Sequence, residues 1–255
     1  MDRLLQGASS SPESDPLNRF NAYFELVSAN TRALMEAAFA LRYQVYCIER
    51  KFEDPAEQKG GLETDQFDRH AVHSLLFHRS CDEAIGTARL ILPEARATSL
   101  PIQQLLKKHG LNAADYFPSE ATAEISRFAV SKEFRRRDFG PEAPLSAEAE
   151  RERRGYLPCL GLVQILLRQS IDLGVEYWGA VMEPQLLRWL AMLGICFEPI
   201  GPMVSHHGLR QPSYCHLPTM LRELAKAKPE FWDVVTNGGE LVYAPAAGAN
   251  LRQVA

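Results

Sequence analysis

The run Glu124-Ile125-Ser126-Arg127-Phe128-Ala129-Val130 constrains the fold of this chain more than any other stretch, because it sits among the apolar neighbours of a buried strand and yet carries a carboxylate and a guanidinium. Period-two alternation puts Glu124, Ser126 and Phe128 on one face and Ile125, Arg127 and Ala129 on the other. A charge in such a strand is costly to bury unless it is paired or works on a ligand. The rest of the chain must therefore supply partners, either for a structural ion pair or for a binding site.

With 255 residues, 46% hydrophobic and 24% charged, the chain can bury a sizeable core in one large domain or two small ones. A formal net charge of −4 argues against nucleic acid as the main partner, so any electropositive site must be local. Cys47, Cys81, Cys159, Cys196 and Cys215 are odd in number and lack CxxC spacing; neither a disulfide framework nor a zinc knuckle is indicated, and a reducing cytoplasm fits. The N-terminus has no apolar core of the signal-peptide kind, and no stretch approaches the ~18 apolar residues of a membrane span. The amphipathic stretch 219–232 has the character to touch a membrane or partner, but docking onto its own domain is the simpler reading. Oligomeric state is not legible.

Residues 1 to about 18 read as a disordered leader. Asn21–Ala29 alternates as a first strand, and Asn30-Thr31 caps a helix from about Arg32 to Glu49 with a core face of Leu34, Ala37, Ala38, Leu41, Val45 and Ile48. Arg42, Tyr46 and Glu49 form a second, polar series on that helix. A polar loop follows, with Glu63, Asp65 and Asp68 within six residues; it lacks the alternating ladder of a calcium site. Ala71–Arg79 and Ala84–Leu92 form a hairpin whose second arm embeds Arg89. A short helix to His109, the strand 123–131, a charged insertion at about 138–156, a helix from Pro158 to Asp172, a strand Val175–Met182, a helix to Leu193, and short strands Ile195–Pro199 and Ser213–Leu217 complete a mixed α/β domain over 19–218. Thr219–Lys228 is helical, and the remainder of 219–255 is a loose appendage. His206, His207, His216 and Cys215 lack the spacing and carboxylate partner of a metal site, and no metal is assigned.

Four segments in this order resemble the GNAT-type N-acyltransferases, and within them the acyl-homoserine lactone (autoinducer) synthases and N-acyl amino acid synthases. They are Leu41-Arg42-Tyr43-Gln44-Val45-Tyr46, Glu63-Thr64-Asp65-Gln66-Phe67-Asp68, Thr87-Ala88-Arg89-Leu90 and Glu124-Ile125-Ser126-Arg127-Phe128. Length and C-terminal extension are similar to those of the PEP-CTERM/exosortase-associated acyltransferases. The resemblance implies a mixed sheet flanked by helices, splayed at its central strand, with the pantetheine arm of an acyl thioester received along Ser126, Phe128, Ala129 and Val130. It implies Glu124 as general base toward an incoming amine. It further implies Arg42, Asp65, Asp68 and Arg89, supported by Glu63 and Arg127, as a charge network around a small amine acceptor. No tightly bound cofactor is implied.

The chain departs from ordinary coenzyme A-dependent members at Arg135-Arg136-Arg137-Asp138-Phe139-Gly140. Asp138 stands where the pyrophosphate-cradling loop has its first glycine, and a carboxylate there repels pyrophosphate. That favours acyl carrier protein over acyl-CoA as donor, with Arg135, Arg136, Arg137, Arg151, Arg153 and Arg154 meeting its acidic surface. Two rivals stand beside this expectation: an acyl-CoA-dependent N-acetyltransferase of the same fold, and a non-catalytic sensor that binds acyl chains or carrier protein.

Overall fold

The computed structural model describes residues 15–93, 99–136, 155–205 and 208–243. Within them, eight strands form a mixed sheet: β1 (Phe24–Ser28), β2 (Ala71–His78), β3 (Glu83–Ile91), β4 (Thr122–Val130), β5 (Tyr177–Met182), β6 (Glu198–Pro199), β7 (Val204–Ser205) and β8 (Leu209–His216). Their spatial order is β1-β2-β3-β4-β5-β8-β6, with β7 paired to β8. Neighbours are antiparallel except β4 and β5, which run parallel.

That parallel pair is short. It joins Thr122, Ala123, Glu124 and Ile125 to Tyr177, Trp178, Gly179 and Ala180, and beyond this point both strands continue without pairing to each other. The cause lies in β4, whose pairing to β3 slips between Arg89↔Ser126 and Thr87↔Ala129, so β4 carries one extra residue. Arg127, inside that bulge, has a left-handed backbone (φ +49°). A bulge bends its strand, and here it turns the second half of β4 away from β5.

One face of the sheet is covered by α5 (Leu157–Asp172), which is buried on nearly every side and overlaid by α1 (Pro16–Tyr23) and α8 (Pro229–Thr236). The other face carries α2 (Arg32–Arg42), the acidic loop and α3 (Pro101–Lys108). α4 (Lys132–Arg136), α6 (Pro184–Met192) and α7 (Leu217–Ala227) complete the α-helices seen in the described residues.

The expected order of elements stands, apart from two short additions, α4 and β7, and with four corrections. Pro16–Tyr23 is a helix capped by Asp15, so leader and first strand are both shorter at their junction than alternation suggested. Beyond Arg42 the second helix widens into a π-helical segment, Tyr43–Glu49, with Arg50 N–H bonded to Val45 C=O five residues back. The wider turn rotates Ile48 out to 47% exposure and brings Cys47 into the core in its place. The final strand begins at Leu209, four residues before the sequence suggested; Pro212, which has no N–H to give a ladder, disguised its first half. Finally, residues 229–243 are no loose appendage: Val234 and Val235 are fully buried and the Tyr243 hydroxyl bonds the Val175 carbonyl. The insertion from 138 to 154 lies outside the described residues.

Candidate active site

The bulge at Arg127 also resets which way the strand's side chains point. Ile125, Phe128 and Val130 pack with the α5 core, whereas Ala129 packs with Ala38, Leu41 and Val45 beneath α2. Arg127 therefore shares a face with Glu124 and Ser126, and not with Ile125 as strict alternation requires. One extra residue converts a strand with charges on both faces into one that gathers them on one.

On that face three guanidiniums interleave with carboxylates of the acidic loop. Arg42, fully buried, donates from Nε to Glu63 at 2.5 Å and from Nη1 to Asp68 at 2.6 Å. Arg89 reaches Asp65 through both Nη atoms (2.6 and 2.8 Å), Asp68 at 2.5 Å and the Ser126 hydroxyl at 2.8 Å. Arg127 closes the ring with two bonds to Glu63 (2.7 and 3.0 Å), one to Asp65 at 3.2 Å and one to Glu53 at 3.4 Å. The loop can reach because Asp65 and Asp68 cap each other's backbone at the start of a short 3-10 turn. Burial would raise both Glu63 and Asp68, but the guanidinium hydrogen bonds outweigh it and hold each carboxyl down to about 2. The six expected network residues thus lie together, and each guanidinium is already matched by carboxylate.

Of the polar series Arg42, Tyr46, Glu49, the last two brace the second half of β4 and its end, while Arg42 joins β4 only through the Glu63 that it shares with Arg127. The Arg127 guanidinium lies 5.2 Å from the Tyr46 ring centroid. Glu49 accepts from the Ser131 hydroxyl and the Lys132 N–H just past the strand's end, at 2.8 and 2.9 Å. Sequence reading isolated the stripe without its target; the Arg127 contact with Glu53 and the role of Ile102 left no signal that pattern could find.

Glu124 stands apart from this compensated network. It is 4% exposed, and its Oε2 accepts the Ile102 main-chain N–H in the first turn of α3 at 2.7 Å. Burial pushes its carboxyl up to about 8, only partly opposed by the Ile102 N–H and the positive charge of Arg89. A carboxyl so placed keeps its proton at neutral pH and exchanges it just above, which suits proton transfer with an amine.

Glu124 opens into a cavity of about 520 Å³ that fills the gap between the diverging strands. The whole run Glu124–Val130 lines it, with Tyr46, Asp65 and Arg89 on the network side and Val181, Met182 and Trp189 across the gap. The β5-facing edge of Ser126–Ala129 is thereby presented to whatever occupies the cavity, in the way a sheet edge receives an extended chain. The side chains of Arg135 and Arg136, and all of Arg137, Arg151, Arg153, Arg154, His206 and His207, lie outside the described residues. His216 is bonded to the Thr219 hydroxyl at 2.8 Å, Cys215 is buried, and none of the five cysteines forms a disulfide.

Residues 41–140 match the model of the acetyltransferase (GNAT) domain family. No curated protein sequence matches the chain significantly. Among solved structures the chain is similar to the CoA-dependent acyl-homoserine lactone synthase BjaI bound to MTA, at 19% identity over 84% of this chain and 88% of that one, with a TM-score of 0.55. It is similar to FeeM, an N-acyl amino acid synthase from uncultured soil microbes, at 17% identity over 80% and 96% of the two chains and a TM-score of 0.53. A third is the AHL synthase LasI, at 18% identity over 76% and 89%, TM-score 0.53. The architecture is thus the GNAT-type one: a splayed mixed sheet with helices on both faces.

Proposed function

We propose that this protein is an N-acyltransferase that moves a fatty acyl group from an acyl carrier protein thioester to the amine of a small acceptor, an amino acid or related metabolite. The observation that carries this reading is Glu124: a buried carboxyl, raised to about 8, at the point where β4 leaves β5 and the cavity begins. The acyl arm lies along Ser126, Phe128, Ala129 and Val130. Glu124 takes a proton from the acceptor's ammonium, directly or through water, and the freed amine attacks the thioester carbonyl. Main-chain N–H groups of β4 stabilise the oxyanion, and the C–S bond breaks as the thiol leaves with a proton.

Arg42, Glu63, Asp65, Asp68, Arg89 and Arg127 hold the acceptor side in shape, with Asp65 at the cavity wall facing the amine. The case for a carrier-protein donor rests on Asp138 and the flanking arginines in the sequence. The competing reading, an acyl-CoA donor, takes its support from the CoA dependence of BjaI. Length and C-terminal extension favour kinship with the PEP-CTERM/exosortase-associated acyltransferases, and cysteines with no disulfide among them suit a cytoplasmic enzyme.

The test is mass spectrometry of lipid extracts from cells expressing the wild type and Glu124→Ala. A new N-acyl amine present only with the wild type identifies chain and acceptor together. A folded wild-type protein that binds acylated carrier protein and yields no new lipid replaces the enzyme with a sensor.

A further inference from the structure

The end of the cavity beyond the last residues of β4 and β5 carries a group of charges that plays no part in the network around Glu124. Arg210, at the start of β8, pairs with Glu183 at 2.9 Å and stacks 5.1 Å from the centroid of Phe52. Arg50, at the end of the π-helical segment, lies 5.9 Å from the same ring and 3.8 Å from Glu183. All four residues line the cavity. Two guanidiniums share one carboxylate, and Glu53, another acid of the cavity lining, is engaged by Arg127. Among the described residues the Arg50 guanidinium donates no hydrogen bond and remains 38% exposed, so its donor fork is open to the cavity mouth.

This surplus bridges the two arms of the splayed sheet: Arg50 and Phe52 belong to the α2 side, Glu183 and Arg210 to the β5–β8 side. From Glu124 to the end of β4 at Val130, a strand rises roughly 20 Å, comparable to an extended pantetheine arm. We propose that Arg50 and Arg210 bind the phosphate of the 4′-phosphopantetheine arm, with Phe52 holding both guanidiniums and Glu183 as the counter-ion that the phosphate replaces. The phosphate displaces Glu183, and the arm then runs along β4 to Glu124. This inference rests on the thioester-donor reading above and adds to it a site on the β5 side of the mouth, apart from the loop that follows β4. Paired planar guanidiniums suit a tetrahedral phosphate better than a single carboxylate.

Calorimetric titration with a non-reactive S-alkyl 4′-phosphopantetheine and with its dephosphorylated S-alkyl pantetheine isolates the phosphate without requiring turnover. The wild type should prefer the phosphorylated arm by roughly tenfold to a hundredfold, the worth of charge-assisted hydrogen bonds. Arg50→Ala and Arg210→Ala should each erode that ratio, and the lysine variants should restore part of it. Glu183→Gln should raise the ratio, a change of sign that loss of structure cannot produce. A wild-type ratio near one, or a ratio untouched by both arginine substitutions in folded protein, overturns the site. S-alkyl coenzyme A and S-alkylated carrier protein, titrated alongside, distinguish the source of the phosphate. Phosphate-dependent binding without any acyl transfer would keep the site and reject the enzyme, so the two readings fail separately.

Discussion

The main-chain N–H of Ile102 donates to the Glu124 carboxylate at 2.7 Å, tying the one uncompensated acid of the site to the first turn of α3. That bond favours the charged form, yet burial prevails and the carboxyl is raised to about 8. The proton-accepting form is therefore the minor one at neutral pH.

The rate should carry this signature. If Glu124 is the base, kcat/KM climbs about tenfold per pH unit below about 8 and levels above it, and Glu124→Gln lowers it by about 10² to 10⁴ while abolishing that limb. A pH–rate profile with a fixed acyl donor checks both; a flat profile in the wild type would remove Glu124 from the chemistry.

The same group leaves a mark on folding. Between the ordinary glutamate value of 4.5 and about 8 the folded protein holds a proton that the unfolded chain has released, so stability falls as pH rises through that window. Glu124→Gln, which cannot ionise, should resist urea better than the wild type at pH 9, with the advantage disappearing at pH 4.

Acid should destabilise through other groups. His73 is buried, 3.7 Å from Asp68, and burial lowers it from 6.5 to about 4. The unfolded chain therefore takes up that proton first as pH falls below 6.5, and the His73 contribution to stability drops until about pH 4. Glu63 and Asp68, held at about 2, extend the loss from their ordinary values down to pH 2. Between pH 6.5 and 4.5 the His73 loss opposes the gain from Glu124, so wild-type urea midpoints should change little there and fall below about pH 4.5, whereas His73→Phe should turn the upper part into a rise.

Removing Arg42 strands Glu63 and Asp68, 1% and 10% exposed, with one counter-charge fewer. Arg42→Ala should cost about 3–5 kcal/mol, the usual consequence of uncompensating a buried ion pair. Arg32→Ala, which breaks only the exposed pair with Glu36, should leave the denaturation midpoint where it is. Equal effects from the two would mean the buried network is not holding the loop.

Gly161 faces Phe20 across the contact of α5 with α1, and a methyl group there would run into the Phe20 ring. Gly161→Ala should destabilise by about 1–3 kcal/mol through overpacking, with part of the loss recovered when Phe20→Leu accompanies it. Thermal melts of the single and double variants decide this.

Much of the architecture could be read from pattern because long amphipathic and alternating segments announce themselves: α5, the β2–β3 hairpin and β4 all occur where periodicity placed them. What escaped were departures from regular period. The π-helical segment moved Ile48 to the surface, and the bulge at Arg127 moved that side chain to the face of Glu124; neither follows from spacing, since each inserts a fraction of a turn or a single residue that only tertiary contacts reveal. The network's members could be named from the sequence, but their near-complete mutual compensation could not, because it depends on which oxygen meets which nitrogen. Pro212 inside β8 is the plainest case of a local rule outvoted by two flanking strands.

The packing of α1 against α8 has a consequence for how the protein comes into being. Leu17 and Phe20 bury themselves with Val234 and Val235, more than two hundred residues further along the chain. During synthesis α1 leaves the ribosome well ahead of α8 and waits, its apolar face uncovered, until α8 has followed. The nascent chain must stay soluble over that interval without its final cover, so α1 and the α5 surface beneath it are where a chaperone would find this protein first.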